Sequence, residues 1–95
     1  MASIRRLKKE TDYLVSELVV DCLSYVNLYS KADKDKAFRI IQDILAVRND
    51  VRDMVNHPDG KDNPKLVKAH YKATIEKLVK SIEDGYARLE KLPAV

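Results

Sequence analysis

Few side chains in this sequence could carry catalytic chemistry, and their spacing does not suit it. The chain has one cysteine, Cys22, and two histidines, His57 and His70, without the spacing of metal ligands. It contains no glycine-rich phosphate loop, no His-Glu-x-x-His motif and no plausible nucleophile–base pair. Residues 59–63 lack the Asp/Asn alternation and the closing Glu of a calcium loop. We therefore predict that the protein is not an enzyme and binds no cofactor or metal.

Binding of an anion is a second kind of chemistry, and it depends on the placement of basic residues. Four basic side chains precede the first acid, whereas the rest of the chain carries 14 basic and 15 acidic side chains. Free N–H groups at a helix start reinforce the attraction of such a cluster for phosphate. No helix-turn-helix pattern, zinc pattern or set of stacking aromatic residues accompanies it, so nucleic-acid binding is the alternative rather than the main hypothesis. The candidate anion-binding residues are Arg5, Arg6, Lys8, Lys9 and Lys65.

Hydrophobic residues recur at helical spacing in three long segments, which predicts helices at about 4–29, 34–56 and 64–92. Ser30 or Asp33 can cap the second helix, Asn63-Pro64 is a strong start signal for the third, and Pro93 ends it. The predicted core faces are Ile4, Leu7, Leu14, Leu18, Cys22, Tyr25 and Tyr29 in the first helix; Ala37, Ile40, Ile41, Ile44, Val47, Val51, Met54 and Val55 in the second, with Phe38 and Leu45 on one flank; and Val67, Tyr71, Ile75, Leu78, Val79, Ile82, Tyr86 and Leu89 in the third.

The two polar breaks between these segments determine the expected topology. The second break contains Pro58-Asp59-Gly60, which favours a type I turn. Because short connections force neighbouring helices to run antiparallel, we expect an all-α fold, an up-down-up antiparallel three-helix bundle. Ninety-five residues suffice for one core, so residues 1–95 form a single domain. This topology gathers the starts of the first and third helices, and with them the basic residues, at one end.

The first helix carries a second stripe of apolar residues on the side opposite its core face. In the bundle this stripe would face water, and a continuous exposed apolar surface more often marks an interface. The alternatives are that single exposed apolar residues are normal, or that the first helix is more buried than the topology implies. We expect a homo-oligomer, most simply a dimer, or else a different protein partner. The stripe, here called the seam, comprises Tyr13, Ser16, Val20, Leu23 and Asn27.

Three further residues have structural interpretations. Cys22 lies on the core face, where a buried thiol is inert. Arg48 borders the core face of the second helix and extends its head group to water, forms an ion pair with Glu10, Asp12 or Glu17, or, least favoured of the three, binds a ligand. Gly85 costs about 1 kcal/mol relative to Ala inside a helix, which favours close helix–helix approach over a hinge or an early helix end.

The compartment follows from cysteine usage and from the lack of long apolar runs. A single cysteine allows no internal disulfide, which favours a reducing environment. The basic start is followed by Glu10, Thr11 and Asp12, where a signal peptide would be apolar. The longest apolar run, residues 44–47, is far too short to cross a bilayer. We predict a cytoplasmic protein with no membrane contact.

Several segments resemble a known family. They are residues 1–14 (MASIRRLKKETDYL), residues 16–18, the Arg-Asn-Asp stretch at 48–50 and the Asn-His-Pro-Asp turn at 56–59. Together they look like a family of small, uncharacterised helical proteins from Bacteroidetes-type bacteria. The resemblance implies a helical fold and a bacterial cytoplasmic setting, and it assigns no activity, ligand, partner or functional residue.

These observations predict a small protein-interaction or regulatory module that self-associates through its first helix. The alternative is a nucleic-acid-associated protein that uses the basic end of the bundle.

Overall fold

The structure, a computed structural model, describes residues 4–56 and 63–94, which form three helices without any strand. Helix α1 spans Ile4–Leu28, α2 spans Lys34–Asn56 and α3 spans Pro64–Glu90. All three helices pack against one another, α2 most extensively, which confirms the predicted all-α three-helix bundle. The bundle is slender, with principal extents of 53 × 18 × 17 Å. The predicted turn at Pro58-Asp59-Gly60 and His57 lie outside the described residues.

Side chains that accept from free backbone N–H groups start two of these helices. Asp33 Oδ1 accepts from the Lys36 N–H at 3.1 Å, which makes Asp33 the cap of α2. Asn63 Oδ1 accepts from the Lys65 N–H at 3.0 Å and the Leu66 N–H at 3.4 Å, and Pro64 follows as the first residue of α3. The predicted helix starts at 34 and 64 therefore have a local chemical cause.

Cross-helix contacts give the direction of each helix. Asp12 of α1 bonds Arg48 and Arg52 near the end of α2, whereas Val20, later in α1, lines a groove with Leu45, earlier in α2, so these helices are antiparallel. Arg88 near the end of α3 bonds Asp43 in the middle of α2 at 2.9 Å, whereas Lys77, earlier in α3, pairs with Asp50, later in α2. This inverse order makes α2 and α3 antiparallel as well, so α1 and α3 run in the same direction.

The core runs along the bundle axis and includes residues that the sequence analysis did not place there. Thr11 and Thr74 are fully buried, and their hydroxyls donate to the Leu7 and His70 carbonyls at 2.8 Å, which satisfies them inside their own helices. The buried apolar cluster comprises Leu7, Val15, Leu18, Cys22, Ile40, Ile44, Val51, Val55 and Leu78.

The orientation of α3 differs from the one that we predicted. Ile75 and Val79 were placed on its core face, yet both side chains are exposed. Leu78 is buried as predicted, and Tyr71, Ile82, Tyr86 and Leu89 are partly buried against the core. The other buried positions of α3 are Thr74 and Gly85, so the buried face is rotated toward these two residues and away from Ile75 and Val79. Since α3 continues to Glu90, Gly85 is neither a hinge nor a helix end, and its burial supports the predicted close approach.

Candidate protein interface

The seam lies on the outer surface of α1. The exposed fraction is 64% for Tyr13, 57% for Val20 and 42% for Leu23, and the side chains of Ser16 and Asn27 are also exposed. The opposite side of α1 carries Leu18 and Cys22, which are fully buried. The helical period thus divides α1 into one face for the core and one for the solvent.

Two apolar residues of α2 that were predicted on one flank of its core face are exposed, Phe38 at 44% and Leu45 at 38%. A shallow groove of about 440 Å³ between α1 and α2 brings Leu45 next to Val20. Phe38 lies seven residues before Leu45, about two turns along α2, and therefore on the same face of that helix. The groove is lined by Asp12, Val15, Ser16, Val19, Val20, Leu45 and Arg48.

An ion-pair cluster of Asp12, Arg48 and Arg52 lies at one end of this groove. The Asp12 carboxylate accepts from Arg48 Nε at 2.9 Å and from Arg52 Nη2 at 2.6 Å. The hydrogen bond from Arg48 outweighs partial burial and, with the Arg52 contact, lowers the pKa of Asp12. The ion pair with α1, one of the three interpretations of Arg48, is therefore confirmed, and its partner is Asp12. Two arginines share one carboxylate, so this flank of α1 is positive.

The other flank of α1 faces α3 and is acidic. A groove of about 330 Å³ is lined by Tyr13, Ser16, Glu17, Val20, Asp21 and Tyr86. The Tyr86 hydroxyl donates to Asp21 Oδ2 at 2.9 Å, and burial together with this bond raises the pKa of Tyr86 to about 12. A hydrogen bond to Glu17 raises the pKa of Tyr13. The seam therefore separates a positive flank from a negative one.

The candidate anion-binding residues lie at the end of the bundle where α1 and α3 begin. Arg6 Nε donates to the Glu10 carboxylate at 3.1 Å, and Arg5, Lys9 and Lys65 are exposed. Lys8 is half-buried. At the start of α3, Asn63 occupies the N–H groups of Lys65 and Leu66, which would otherwise be available to an anion.

The remaining reactive side chains have structural roles. Cys22 is buried, and burial raises the pKa of its thiol, which disfavours the reactive thiolate. His70 Nε2 lies 2.6 Å from the Met54 carbonyl, and it donates there because a carbonyl oxygen only accepts. Among the described side chains, no group of three or more His, Cys, Asp or Glu could hold a metal ion.

Comparison with known proteins adds no family. No family model, curated protein or solved structure matches the chain. The resemblance to bacterial helical proteins therefore stays a prediction. In the part of the chain that the structure describes, the helices are too short or too polar to cross a membrane.

Proposed function

We propose that this protein is a protein-interaction module that self-associates through the seam of α1 and the adjoining residues of α2. The supporting observation is the exposure of Val20 and Leu23 on α1 and of Phe38 and Leu45 on α2, with Val20 and Leu45 lining one groove. The function is binding without chemistry, and its proposed setting is the bacterial cytoplasm.

The composition of the seam supports its burial in an interface. The residues that separate its apolar side chains are Ser16, Ser24 and Asn27, none of which carries a charge. Burying the seam therefore leaves no unpaired charge, which would cost far more than an uncharged polar group. Interface centres are likewise depleted of charged residues and enriched in aromatic ones. Each Å² of apolar surface that a partner covers contributes roughly 25 cal/mol.

A second copy of the chain is the occupant that we propose. Most oligomers are symmetric homo-oligomers, and an uncharged apolar surface complements itself without an oppositely charged partner. A different protein partner remains the alternative occupant.

Sedimentation equilibrium over a wide concentration range tests this proposal. We expect the wild type to dimerise and Val20→Glu to be monomeric, because the variant would bury an unpaired carboxylate in the seam. Leu66→Glu is the matched control, since Leu66 is 54% exposed and lies on α3 away from the seam. It should dimerise like the wild type.

Circular dichroism and urea unfolding would establish that the Val20→Glu variant is folded. A wild type that stays monomeric, or a folded Val20→Glu variant that still dimerises, would refute self-association through the seam. A monomeric wild type would direct attention to a heterologous partner.

Nucleic-acid association is the second candidate function, and the charge of the N-terminal stretch supports it. Arg5, Arg6, Lys8 and Lys9 precede Glu10, the first acid in the sequence. A nucleic-acid complex would weaken steeply as salt rises, because phosphate contacts release counterions. An apolar dimer would respond weakly. Titration of a duplex oligonucleotide at two salt concentrations therefore separates the two functions.

A further inference from the structure

We infer that two copies of this chain pair in parallel about a two-fold axis that runs along the helices, each seam resting in the α1–α2 groove of the other copy. This inference rests on the proposed self-association and adds its orientation. The two flanks of α1 differ in charge, and this difference favours one orientation of the pair.

The two flanks are defined by their contacts within the bundle. Asp21 bonds Tyr86 of α3, and Glu17 lies four residues before it on the same side of α1. Asp12 bonds Arg48 and Arg52 of α2 on the other side. The α3-facing flank of the seam thus carries two carboxylates, and the α2-facing flank carries two guanidinium groups that share one carboxylate.

Symmetry determines which flanks meet. A two-fold axis parallel to the helices keeps both copies running in the same direction. It places the acidic, α3-facing flank of one copy opposite the basic, α2-facing flank of the other. A two-fold axis that lies in the interface and is perpendicular to the helices reverses the direction of one copy relative to the other. It leaves each flank on the same side, so the acidic flanks of the two copies meet. Opposite charges that face each other across an interface favour an arrangement, and like charges disfavour it, so the parallel arrangement is favoured.

The positions of the charges along the bundle agree with the parallel arrangement. Arg48 lines the α1–α2 groove beside Ser16, and Glu17 is the next residue of α1. A two-fold axis parallel to the helices leaves the position of every residue along that axis unchanged. Glu17 of one copy and Arg48 of the other therefore lie within one helical turn, ~5.4 Å, of each other along the axis. An antiparallel pair whose two-fold axis passes at the height of Val19 brings Glu17 opposite Asp21 of the other copy instead.

Cysteine cross-linking tests the orientation directly. The variants Ser16→Cys and Asn27→Cys place a thiol at each of two exposed seam positions, roughly 16 Å apart along α1. A bismaleimide with a span of about 8 Å, half of that distance, cannot bridge the two positions. It therefore links a thiol only to a thiol at nearly the same height along the helix. The wild type is the control, because its single thiol, Cys22, is buried.

In the parallel dimer each variant should cross-link to itself, and a mixture of the two should add no mixed product. Cross-links that form only in the mixture would overturn the parallel arrangement, as would a dimer without any cross-link. A wild type that is monomeric by sedimentation would instead refute the proposed self-association, so the two failures are distinguishable.

A change of charge tests the same arrangement through the sign of its effect. Removing the Glu17 charge by Glu17→Gln should raise the dimer dissociation constant about 3- to 10-fold, because the variant loses an attraction to Arg48 of the other copy. In the antiparallel arrangement it removes a repulsion and lowers the constant, which would overturn the inference. Glu83→Gln, at an exposed position of α3, is the control and should leave the constant unchanged.

Discussion

Gly85 of α3 packs directly against Leu18 of α1. A Cβ atom on Gly85 would lie 2.5 Å from Leu18 Cδ2, which is closer than real Cβ contacts allow. Leu18 is fully buried, so its side chain has little room to turn away. The glycine thus lets α1 and α3, which are not consecutive in the chain, approach each other closely.

Gly85→Ala should destabilise the protein by about 1 kcal/mol. Overpacking costs ~1–3 kcal/mol, whereas the better helix propensity of alanine returns ~1 kcal/mol. In a Leu18→Ala background the same substitution should become stabilising, since the clash is gone. Urea unfolding of the four proteins gives the coupling between the two sites. Additive effects would argue against the close contact.

Tyr25→Phe should loosen the end of the bundle where α1 meets α2. The Tyr25 hydroxyl accepts from the Asp33 N–H at 2.9 Å and donates to the Pro93 carbonyl at 2.7 Å. Each lost bond costs about 1 kcal/mol. Hydrogen exchange at the Asp33 amide should accelerate in this variant. In Tyr29→Phe, which keeps the Tyr25 hydroxyl, it should not. Equal protection of Asp33 in all three proteins would contradict this role.

Asp12→Asn should lower stability by about 1 kcal/mol at neutral pH, a value kept small because the side chain is partly exposed. The folded state lowers the pKa of Asp12 below its value in the unfolded chain, which is near 4. The carboxylate therefore contributes to the free energy of unfolding above that unfolded-state pKa, and the contribution is lost as pH falls through the folded-state pKa. Wild type and variant should therefore converge in acid. Urea unfolding at pH 7 and pH 2.5 tests this, with Asp53→Asn at an exposed position as control. A difference that persists at pH 2.5 would exclude the ionic contribution.

The Tyr86 phenol should make stability sensitive to alkaline pH. Its folded pKa is raised to about 12, so the neutral phenol is favoured in the folded state. Its contribution to stability is present below the pKa of the unfolded state, near 10, and is lost as pH rises through the pKa of the folded state. Between pH 8 and pH 11 the wild type should thus lose more stability than Tyr86→Phe, by urea unfolding. Parallel losses would show that the bond to Asp21 is immaterial.

The fold was accessible from the sequence because its signals are local. The caps at Asp33 and Asn63 and the proline at 64 act within one helical turn, so the helix starts were predicted correctly. Exposure of Tyr13, Val20 and Leu23 followed from their position opposite Leu18 and Cys22 on a single helix.

The parts that sequence reasoning missed depend on how helices are rotated and aligned. Leu45 adjoins the seam only because the antiparallel register brings α2 alongside it, and no periodicity within α2 encodes that register. Ile75 and Val79 are exposed because the buried face of α3 is centred on Thr74, Leu78 and Gly85. A glycine and a threonine give no hydrophobic signal, so the apolar pattern centred the predicted face too close to Ile75 and Val79.

The strong packing of α2 against both neighbours has a consequence for the speed of folding. The α1–α2 and α2–α3 pairs join segments that are consecutive in the chain, whereas the smaller α1–α3 contact joins distant ones. Such a bundle has low contact order and is expected to fold in microseconds to milliseconds. Either hairpin of two helices can form before the third helix docks, so substitutions at the Leu18–Gly85 contact should act chiefly on the unfolding rate.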